Sequence, residues 1–295
     1  MNLMAAVREW GRFVQFSQTA WALPFGLAAM VVAARDQAGW PGLRVFGLVL
    51  IAMVSARTCA VAFNQIVDRE HDRLNPRTAG RSLPAGRVTA VEAWGVCAAG
   101  AIGLVAASYF LNRICFFLSP VALLVICSYS LAKRWTDYTH LVLGVAMAMA
   151  PLGAWLAVRG TLGISVVVLA LAVVFWHVGF DIMDSLQDYE FDRRHGLRSL
   201  VVAWGPRNAL RAAFLAHMLM WGGLAAFGLI SRFRVAYVAG MIVMLATLLL
   251  EHWLAWRRRI QWAHGAFSRL HALISAVFLI VTVAEVVFPW FRVSR

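Results

Sequence analysis

Two short polar segments, 64–87 and 184–199, carry the residues that could do chemistry in an otherwise apolar chain. In the first segment Asn64, Asp68 and Asp72 recur at every fourth residue. This spacing places their side chains on one face of a helix, one turn apart. Amide and carboxylate oxygens suit Mg2+, which binds one or two carboxylates and shares its other positions with water and substrate phosphate. The segment therefore predicts a magnesium site that receives a phosphate.

The second segment repeats the spacing of the first. Set in register, the three oxygen ligands fall on Asp184, Asp188 and Asp192, and Asp181 extends the same helical face. Eight of the fourteen acidic residues lie in or just before these two segments. Carboxylates at helical spacing repel one another without a cation, so we interpret the repeat as two halves of a metal site. The alternative is a pair of solvated helix ends with ordinary acid–base pairs.

Cationic residues near the acidic segments suit an anionic substrate. Arg77 and Arg81 follow the first acidic cluster, and guanidinium groups bind phosphate in a bidentate manner. Lys133, four residues after Tyr129, is the only lysine in the chain. We predict that it faces a phosphate.

Arg57 lies seven residues before Asn64, on roughly the same helical face and about three turns into an apolar run. A charge at that depth is costly in a membrane unless it faces the protein interior or a water-filled cavity. We therefore predict a buried cation for an anionic substrate. The alternative is a side chain that snorkels to the interface.

The composition indicates an integral membrane protein, because 62% of the residues are hydrophobic, only 14% are charged and the mean hydropathy is +0.73. About 20 apolar residues cross the hydrocarbon core of a bilayer as a helix. Continuous apolar runs exclude barrel strands, which alternate. We predict one all-α domain, 1–295, with a cap over its cytoplasmic side. Its nine transmembrane helices are expected at 17–34, 43–67, 89–110, 114–131, 139–158, 163–183, 208–230, 234–254 and 270–290.

The net charge of +13 follows the membrane topology and does not indicate nucleic acid as a partner. Between the predicted spans, eighteen Lys and Arg residues fall on one side and eight on the other. The positive-inside rule places the richer side in the cytoplasm. This predicts a multi-pass protein of the cell (inner) membrane with both acidic segments and the N-terminus inside and the C-terminus outside. The amphipathic stretch 1–16 is expected to lie along the cytoplasmic interface.

Acidic clusters at the mouth of an apolar helix bundle fit a prenyl diphosphate. Metal and cations would stabilise the diphosphate leaving group as an allylic cation develops, and aromatic faces would stabilise that cation. The alternative is a transporter, because pseudo-repeated polar sites also occur in carriers built from inverted repeats. The location of both acidic segments at one membrane face, away from the midplane, favours the enzyme.

The motifs resemble those of the UbiA superfamily of membrane prenyltransferases. The resemblance is carried by NxxxDxxxD at 64–72, by the loop with Arg77, Thr78, Arg81 and Gly86, by YxxxKR at 129–134 and by DxxxD at 188–192. It covers nearly the whole chain in motif order and helix count. It implies nine helices around a central cavity and Mg2+-dependent transfer of a prenyl chain to an aromatic acceptor.

Roles for individual residues also follow from the resemblance. It assigns one Mg2+ to Asn64, Asp68 and Asp72 and a second Mg2+ to Asp188 and Asp192, with Asp184 as an added ligand or an acceptor contact. It places Lys133 and Arg134 at the diphosphate, together with Arg77 and Arg81. It places Tyr129 and Asp181 near the reacting centre. Two positions depart from the family pattern: Asp184 stands where a tyrosine is common, and Ser82 replaces a proline after the loop arginine.

The acceptor is expected to be an aromatic carboxylic acid with a ring hydroxyl. AFNQIVDREHDRLNPRTAGR, THLVLG with APLGAW, and SLQDYEFDRRHGLRS resemble most the branch associated with menaquinone synthesis by the futalosine route, which favours 1,4-dihydroxy-6-naphthoate. The same branch also resembles the 4-hydroxybenzoate polyprenyltransferases of ubiquinone synthesis. Arg57 or a loop arginine binding the carboxylate would serve either acceptor.

Overall fold

The structure, a computed structural model, describes the backbone of residues 3–14, 16–257 and 264–288, which form helices joined by short loops without any strand. The helices of this described part are α1 (Leu3–Phe13), α2 (Phe16–Ala33), α3 (Leu43–Val67), α4 (Arg69–Leu74), α5 (Ala90–Leu111), α6 (Arg113–Ala132), α7 (Thr139–Arg159), α8 (Ile164–Ser185), α9 (Tyr189–Arg194), α10 (Leu200–Trp204), α11 (Pro206–Ile230), α12 (Val235–Arg257) and α13 (His264–Val287). Short 3-10 turns occupy Arg35–Gln37 and Leu186–Asp188.

Eight helices of the described chain are long and apolar enough to cross a membrane. They are α3, α5 to α8 and α11 to α13, and α2 adds the shorter apolar stretch Leu23–Ala33. The expectation of an all-helical membrane bundle is confirmed. Helix α3 has the predicted bounds, whereas α13 starts six residues earlier than predicted. The predicted end of the last span, at 290, lies outside the described residues.

Glycines allow close approach between neighbouring helices. A Cβ placed on Gly100 of α5 would lie 2.7 Å from the Cys59 backbone nitrogen on α3. A Cβ on Gly144 of α7 would lie 2.6 Å from the Val174 carbonyl oxygen on α8. Small residues at such crossings bring membrane helices close enough for backbone contact. The pairs α3–α5 and α7–α8 are therefore fixed by backbone-to-backbone packing.

A cap formed by α1 and the loop after α4 covers one end of the bundle. Gln65 Nε2 donates to the Phe13 carbonyl oxygen over 2.6 Å, and Arg87 Nε donates to Glu9 Oε1 over 2.9 Å. Hydrogen bonds from Ser82 and Arg87 hold the pKa of Glu9 below its ordinary value. Ser82 is buried, and its carbonyl oxygen accepts from the Arg87 amide over 2.9 Å. The loop is thus held by hydrogen bonds without the proline common at position 82.

Candidate active site

A cavity of about 1120 Å³ lies inside the bundle. At one end it meets the last turns of α3, where Asn64 lines it, and at the other end it reaches Leu111 and Leu156 near the ends of α5 and α7. Along α3 the lining extends from Val49 to Asn64, which is about 22 Å at the rise of an α-helix. The cavity therefore has a polar mouth and a long apolar interior.

The two acidic segments have the same local backbone geometry. Helix α3 ends just before Asp68, which has φ −90° and ψ 3° and begins the six-residue helix α4. Helix α8 ends in a 3-10 turn, and Asp188, with φ −94° and ψ 1°, begins the six-residue helix α9. Asp72 and Asp192 are then buried at equivalent places in α4 and α9. The sequence repeat is thus a structural repeat, but a break in each helix replaces the continuous acidic face that the spacing predicts.

Arg77 holds the second acidic segment. Its Nε donates to Asp188 Oδ1 over 2.8 Å and its Nη2 donates to Asp188 Oδ2, while Nη1 lies 3.8 Å from Asp184 Oδ2. Asn75 Nδ2 donates to Asp188 Oδ1 over 2.9 Å, and Asn75 Oδ1 accepts from the Arg77 amide. Burial lowers the pKa of Arg77, but these carboxylates raise it more, so that the net shift is upward. The loop after the first acidic segment is therefore bound directly to the second.

Arg81 holds the first acidic segment in the same way. Its Nη1 donates to Asp72 Oδ2 over 2.7 Å. Thr78 Oγ1 donates to the Asp72 carbonyl oxygen over 3.1 Å and is buried. Arg77 and Arg81 both line the cavity, whereas Asp72 and Asp188 lie behind them. The cavity mouth therefore presents the cations Arg77 and Arg81 to an arriving substrate, beside Asn64 and Asp184.

Lys133 lies between the two acidic segments. Burial lowers the pKa of its ammonium group, but the charges of four carboxylates, first Asp192 and then Asp181, Asp68 and Asp188, raise it more, and the net shift is upward. Lys133 thus interacts electrostatically with carboxylates of both acidic segments. It does not line the cavity, and its contact with a phosphate stays a prediction.

Arg134, the neighbouring cation, points elsewhere. Its side chain is exposed and its Nη2 donates to the Val67 carbonyl oxygen over 3.0 Å. The last carbonyls of a helix need partners outside the helix, so Arg134 caps α3 at its break. It does not line the cavity, and its contact with a diphosphate stays a prediction.

Three further predicted residues, Arg57, Tyr129 and Asp181, line the same cavity deeper inside. Arg57 thus faces the interior, as its depth in α3 predicts, and does not reach an interface. Asp181 Oδ2 accepts a hydrogen bond from Nδ1 of His140 over 2.6 Å. A cation, a phenol and a carboxylate are together suited to hold an aromatic acid that carries a hydroxyl group.

The donor set fits Mg2+, although the described residues contain no group of three or more His, Cys, Asp or Glu side chains arranged to hold a metal. Mg2+ requires only one or two carboxylates, with water and substrate phosphate completing its octahedron. Asn64 donates from Nδ2 to Asp68 Oδ2 over 2.9 Å. Burial raises the pKa of Asp68 despite the opposing effects of Lys133 and Asn64. Oδ2 of the buried Asp192 has no hydrogen-bond partner within the described chain. Both segments thus contain a carboxylate that a cation would stabilise.

Three site residues are not found by sequence reasoning. From the sequence alone, Asn75 is interpreted as the end of a helix before Pro76. Thr78 is noted only as part of a loop motif, and His140 is noted only as part of THLVLG. Their roles depend on contacts with residues 113, 6 and 41 positions away in the sequence. For Asn75 a signal existed in the sequence, because an amide three residues after Asp72 is a ready hydrogen-bond donor to a carboxylate.

An apolar helical bundle whose cavity opens between paired acidic segments is typical of membrane enzymes that act on lipid diphosphates. Residues 22–274 match the UbiA prenyltransferase family model. The chain is 34% identical over 239 residues to the 4-hydroxybenzoate octaprenyltransferase of Paracidovorax citrulli, covering 79% of this chain and 77% of that protein. It is 31% identical to that of Burkholderia vietnamiensis, covering 85% and 86%. The chain therefore belongs to the UbiA prenyltransferase family.

Solved structures agree with this assignment. A UbiA homolog from Aeropyrum pernix K1, in its apo form, superposes with a TM-score of 0.81 at 28% identity, covering 90% of this chain and 96% of that chain. A UbiA homolog from Archaeoglobus fulgidus bound to GPP and Mg2+ has the same fold, with a TM-score of 0.73 at 20% identity over 95% and 99% of the two chains. The expectation of a multi-pass membrane prenyltransferase is confirmed at the level of the family, and its use of Mg2+ stays a prediction.

Proposed function

We propose that this protein transfers a polyprenyl chain from polyprenyl diphosphate to an aromatic hydroxy-carboxylic acid in quinone biosynthesis. One observation carries the proposal: a single cavity, lined over about 22 Å of α3, joins Arg77 and Arg81 at its mouth, Arg57 and Asp181 in its wall, and an apolar interior. A diphosphate, an aromatic acid and a prenyl tail each have a chemically matched part of this cavity. A solute carrier has no need for the long apolar part.

The diphosphate is bound at the polar mouth. Arg77, Arg81 and Lys133 pair with its oxygens, because guanidinium and ammonium groups form charge-assisted hydrogen bonds with phosphate. Asn64, Asp68 and Asp72 would hold one Mg2+, and Asp184, Asp188 and Asp192 would hold the other. Bound there, Mg2+ would supply positive charge to stabilise the diphosphate leaving group.

The acceptor binds deeper, against the wall that contains Arg57, Tyr129 and Asp181. Arg57 pairs with the acceptor carboxylate and so orients the ring. The bond between the first prenyl carbon and diphosphate breaks, a bond forms to the ring carbon beside the hydroxyl, and Asp181 takes the proton that this ring carbon loses. Diphosphate keeps the electron pair of the broken bond, so atoms and charges balance.

The apolar interior binds the prenyl tail and excludes water from the reacting carbon. An allylic cation that met water would be lost to hydrolysis, so exclusion of water protects the transfer. The full chain, 1–295, acts as one domain. The excess of basic residues on the side of the acidic segments supports an active site at the cytoplasmic face of the cell membrane, with the C-terminus outside.

The acceptor is one of two related acids. The names of the relatives favour 4-hydroxybenzoate, and the motif strings quoted above favour 1,4-dihydroxy-6-naphthoate. Both acids have a carboxylate for Arg57 and a hydroxyl group that activates the neighbouring ring carbon, so the same wall serves either. We place 4-hydroxybenzoate first, because the similarity to the 4-hydroxybenzoate octaprenyltransferases covers most of the chain.

The test uses membranes that contain the protein, Mg2+ and a long-chain prenyl diphosphate, with the two acids supplied in parallel and lipid products identified by mass spectrometry. We expect a prenylated acid from one acceptor, lost in the Asp68→Ala and Asp188→Ala variants and in excess chelator. Asp36→Ala, at an exposed position outside the cavity, is the matched control and is expected to retain activity. If folded wild-type protein binds the diphosphate but prenylates neither acid, the acceptor class is contradicted. Solute flux that depends on Asp68 without any lipid product supports the transporter instead.

A further inference from the structure

We propose that His140 is a positioning residue that orients the carboxylate of Asp181 toward the acceptor. The inference rests on the proposed function, in which Asp181 accepts the ring proton. His140 lies in THLVLG, at the second position of α7, and has no other role in the site as described above.

The contact between the two side chains is short and buried. His140 is 1% exposed, and its Nδ1 lies 2.6 Å from Oδ2 of Asp181 on α8. An ionised carboxylate only accepts hydrogen bonds, so the proton of this bond belongs to Nδ1. Hydrogen bonds to ionised acceptors are shorter and roughly twice as strong as neutral ones. The bond is therefore strong enough to hold the orientation of Asp181.

This hydrogen bond gives the two carboxylate oxygens of Asp181 different partners. Asp181 lines the cavity and its side chain is 14% exposed. Oδ2 is directed to His140, which leaves Oδ1 as the oxygen for an acceptor. His140 itself does not line the cavity. Any effect it has on the reaction must pass through Asp181.

The helix crossing beside the pair keeps the two residues at a fixed distance. Gly144, one turn after His140, packs its backbone against the Val174 carbonyl oxygen, two turns before Asp181. Interhelical contact at such a small residue leaves little freedom for α7 to move away from α8. Catalytic groups held to within about half an ångström by their neighbours keep their productive geometry. The α7–α8 pair provides this support.

Nearby cations explain why Asp181 needs to be held. The ammonium group of Lys133 interacts electrostatically with Asp181, and Arg57 lines the same cavity. Without His140, the carboxylate could rotate toward Lys133 and away from the acceptor. The other ring nitrogen of His140, Nε2, is buried without a hydrogen-bond partner in the described chain.

The test compares His140→Asn, His140→Leu and Asp181→Asn in purified, folded protein. Asparagine places an amide N–H where Nδ1–H of histidine lies, whereas leucine removes the donor. A general base accelerates a reaction by about 10² to 10⁴. Because His140→Leu would misplace the base, we expect kcat to fall by about tenfold to a hundredfold. KM for prenyl diphosphate should change by less than about twofold. His140→Asn is expected to recover most of kcat. Unchanged kcat in the leucine variant overturns the proposal, as does an asparagine variant as slow as the leucine one.

A double-mutant cycle separates positioning from a general structural effect. In the Asp181→Asn background, His140→Leu should cause no further loss, because its only route to the reaction has been removed. Equal losses in both backgrounds overturn the proposal. If the leucine variant does not accumulate, His140→Gln replaces it in the comparison. Glutamine places its N–H at the Nε2 position and leaves Asp181 without its donor, so its kcat should be low, whereas the kcat of His140→Asn should not. If the wild-type protein prenylates neither acid, the proposed function is contradicted. If the wild-type protein is active and the His140 variants have the same kcat as the wild type, only this inference is contradicted.

Discussion

At the scale of single residues, two arginine–carboxylate ion pairs connect the loop after α4 to both acidic segments. Each acidic segment is held by an arginine of the loop that follows the first segment: Arg77 binds Asp188 and Arg81 binds Asp72. A buried carboxylate whose partner is removed is strongly destabilised, because nothing then compensates its lost hydration. In the proposed function, structure and substrate binding therefore depend on the same arginines.

The first prediction concerns Arg77. Its replacement by alanine removes a diphosphate partner and also two hydrogen bonds to Asp188, so we expect KM for prenyl diphosphate to rise by about tenfold or more, the value of one charged hydrogen bond of about 1.5–3 kcal/mol. Steady-state kinetics in detergent or nanodiscs measures this. Arg69→Ala, an exposed arginine of α4, is the matched control. Equal KM values in the two variants would exclude Arg77 from the diphosphate site.

The second prediction separates the two substrates. Arg57→Gln is expected to raise KM for the aromatic acid and to leave KM for prenyl diphosphate within about twofold, because Arg57 lies in the cavity wall, away from the ion pairs at its mouth. Lys133→Ala is expected to show the reverse pattern. Varying one substrate at saturation of the other measures both constants. A rise of both KM values in each variant would contradict the separate assignment.

At the scale of helices, the close crossings are sensitive to a single methyl group. The third prediction is that Gly100→Ala destabilises the protein by about 1–3 kcal/mol, the usual cost of overpacking, because its Cβ would lie 2.7 Å from the Cys59 nitrogen. Gly95→Ala in the same helix has nothing within 4 Å and is expected to be neutral or slightly stabilising, since alanine favours helix. Thermal unfolding in detergent compares the two variants. A similar Tm for both would mean that α3 and α5 separate at little cost.

The helices also show what sequence reasoning can and cannot reach. The length of an apolar run is set by the bilayer, so the bounds of α3 follow from composition. The break at Asp68 does not follow, because a spacing of four residues fits a continuous helix as well as a broken one. Arg134 stabilises this break by capping the Val67 carbonyl oxygen, and Asn75 and His140 act through similarly remote partners. Such contacts join residues that are far apart in the sequence, so they cannot be predicted from the residues next to either partner.

At the scale of the molecule, the far end of the cavity would limit the length of the prenyl tail in the proposed function. Asn112 Nδ2 donates to the Leu156 carbonyl oxygen over 2.8 Å and its Oδ1 accepts from the Cys115 amide, so the start of α6 is fastened to the end of α7. Cys115, Leu111 and Leu156 line the cavity there. This end forms the floor on which a long tail would rest.

The fourth prediction is that Cys115→Phe shortens the accepted prenyl chain. The larger ring would enter the apolar end, so the ratio of kcat/KM for long over short prenyl diphosphates should fall at least about tenfold, the scale of a few buried methylene groups at about 0.8 kcal/mol each. Leu124→Phe, on the exposed side of the same helix, is the matched control and should leave the ratio unchanged. An unaltered ratio in Cys115→Phe would place the tail elsewhere.

The arginine–carboxylate pairs also have a thermodynamic consequence for the order in which ligands bind. A metal ion that took Asp72 or Asp188 as a ligand without diphosphate would displace Arg81 or Arg77 and strand a guanidinium, and a diphosphate that bound either arginine without metal would strand a carboxylate. When both arrive, arginine passes to phosphate and carboxylate to metal, so that no charge is left without a partner. Binding of the two is therefore positively cooperative, and linkage requires the effect to be reciprocal. Calorimetric titration with Mg2+ should show weak binding to the protein alone and at least about tenfold tighter binding with a non-hydrolysable prenyl diphosphate analogue, a coupling of about 1.4 kcal/mol.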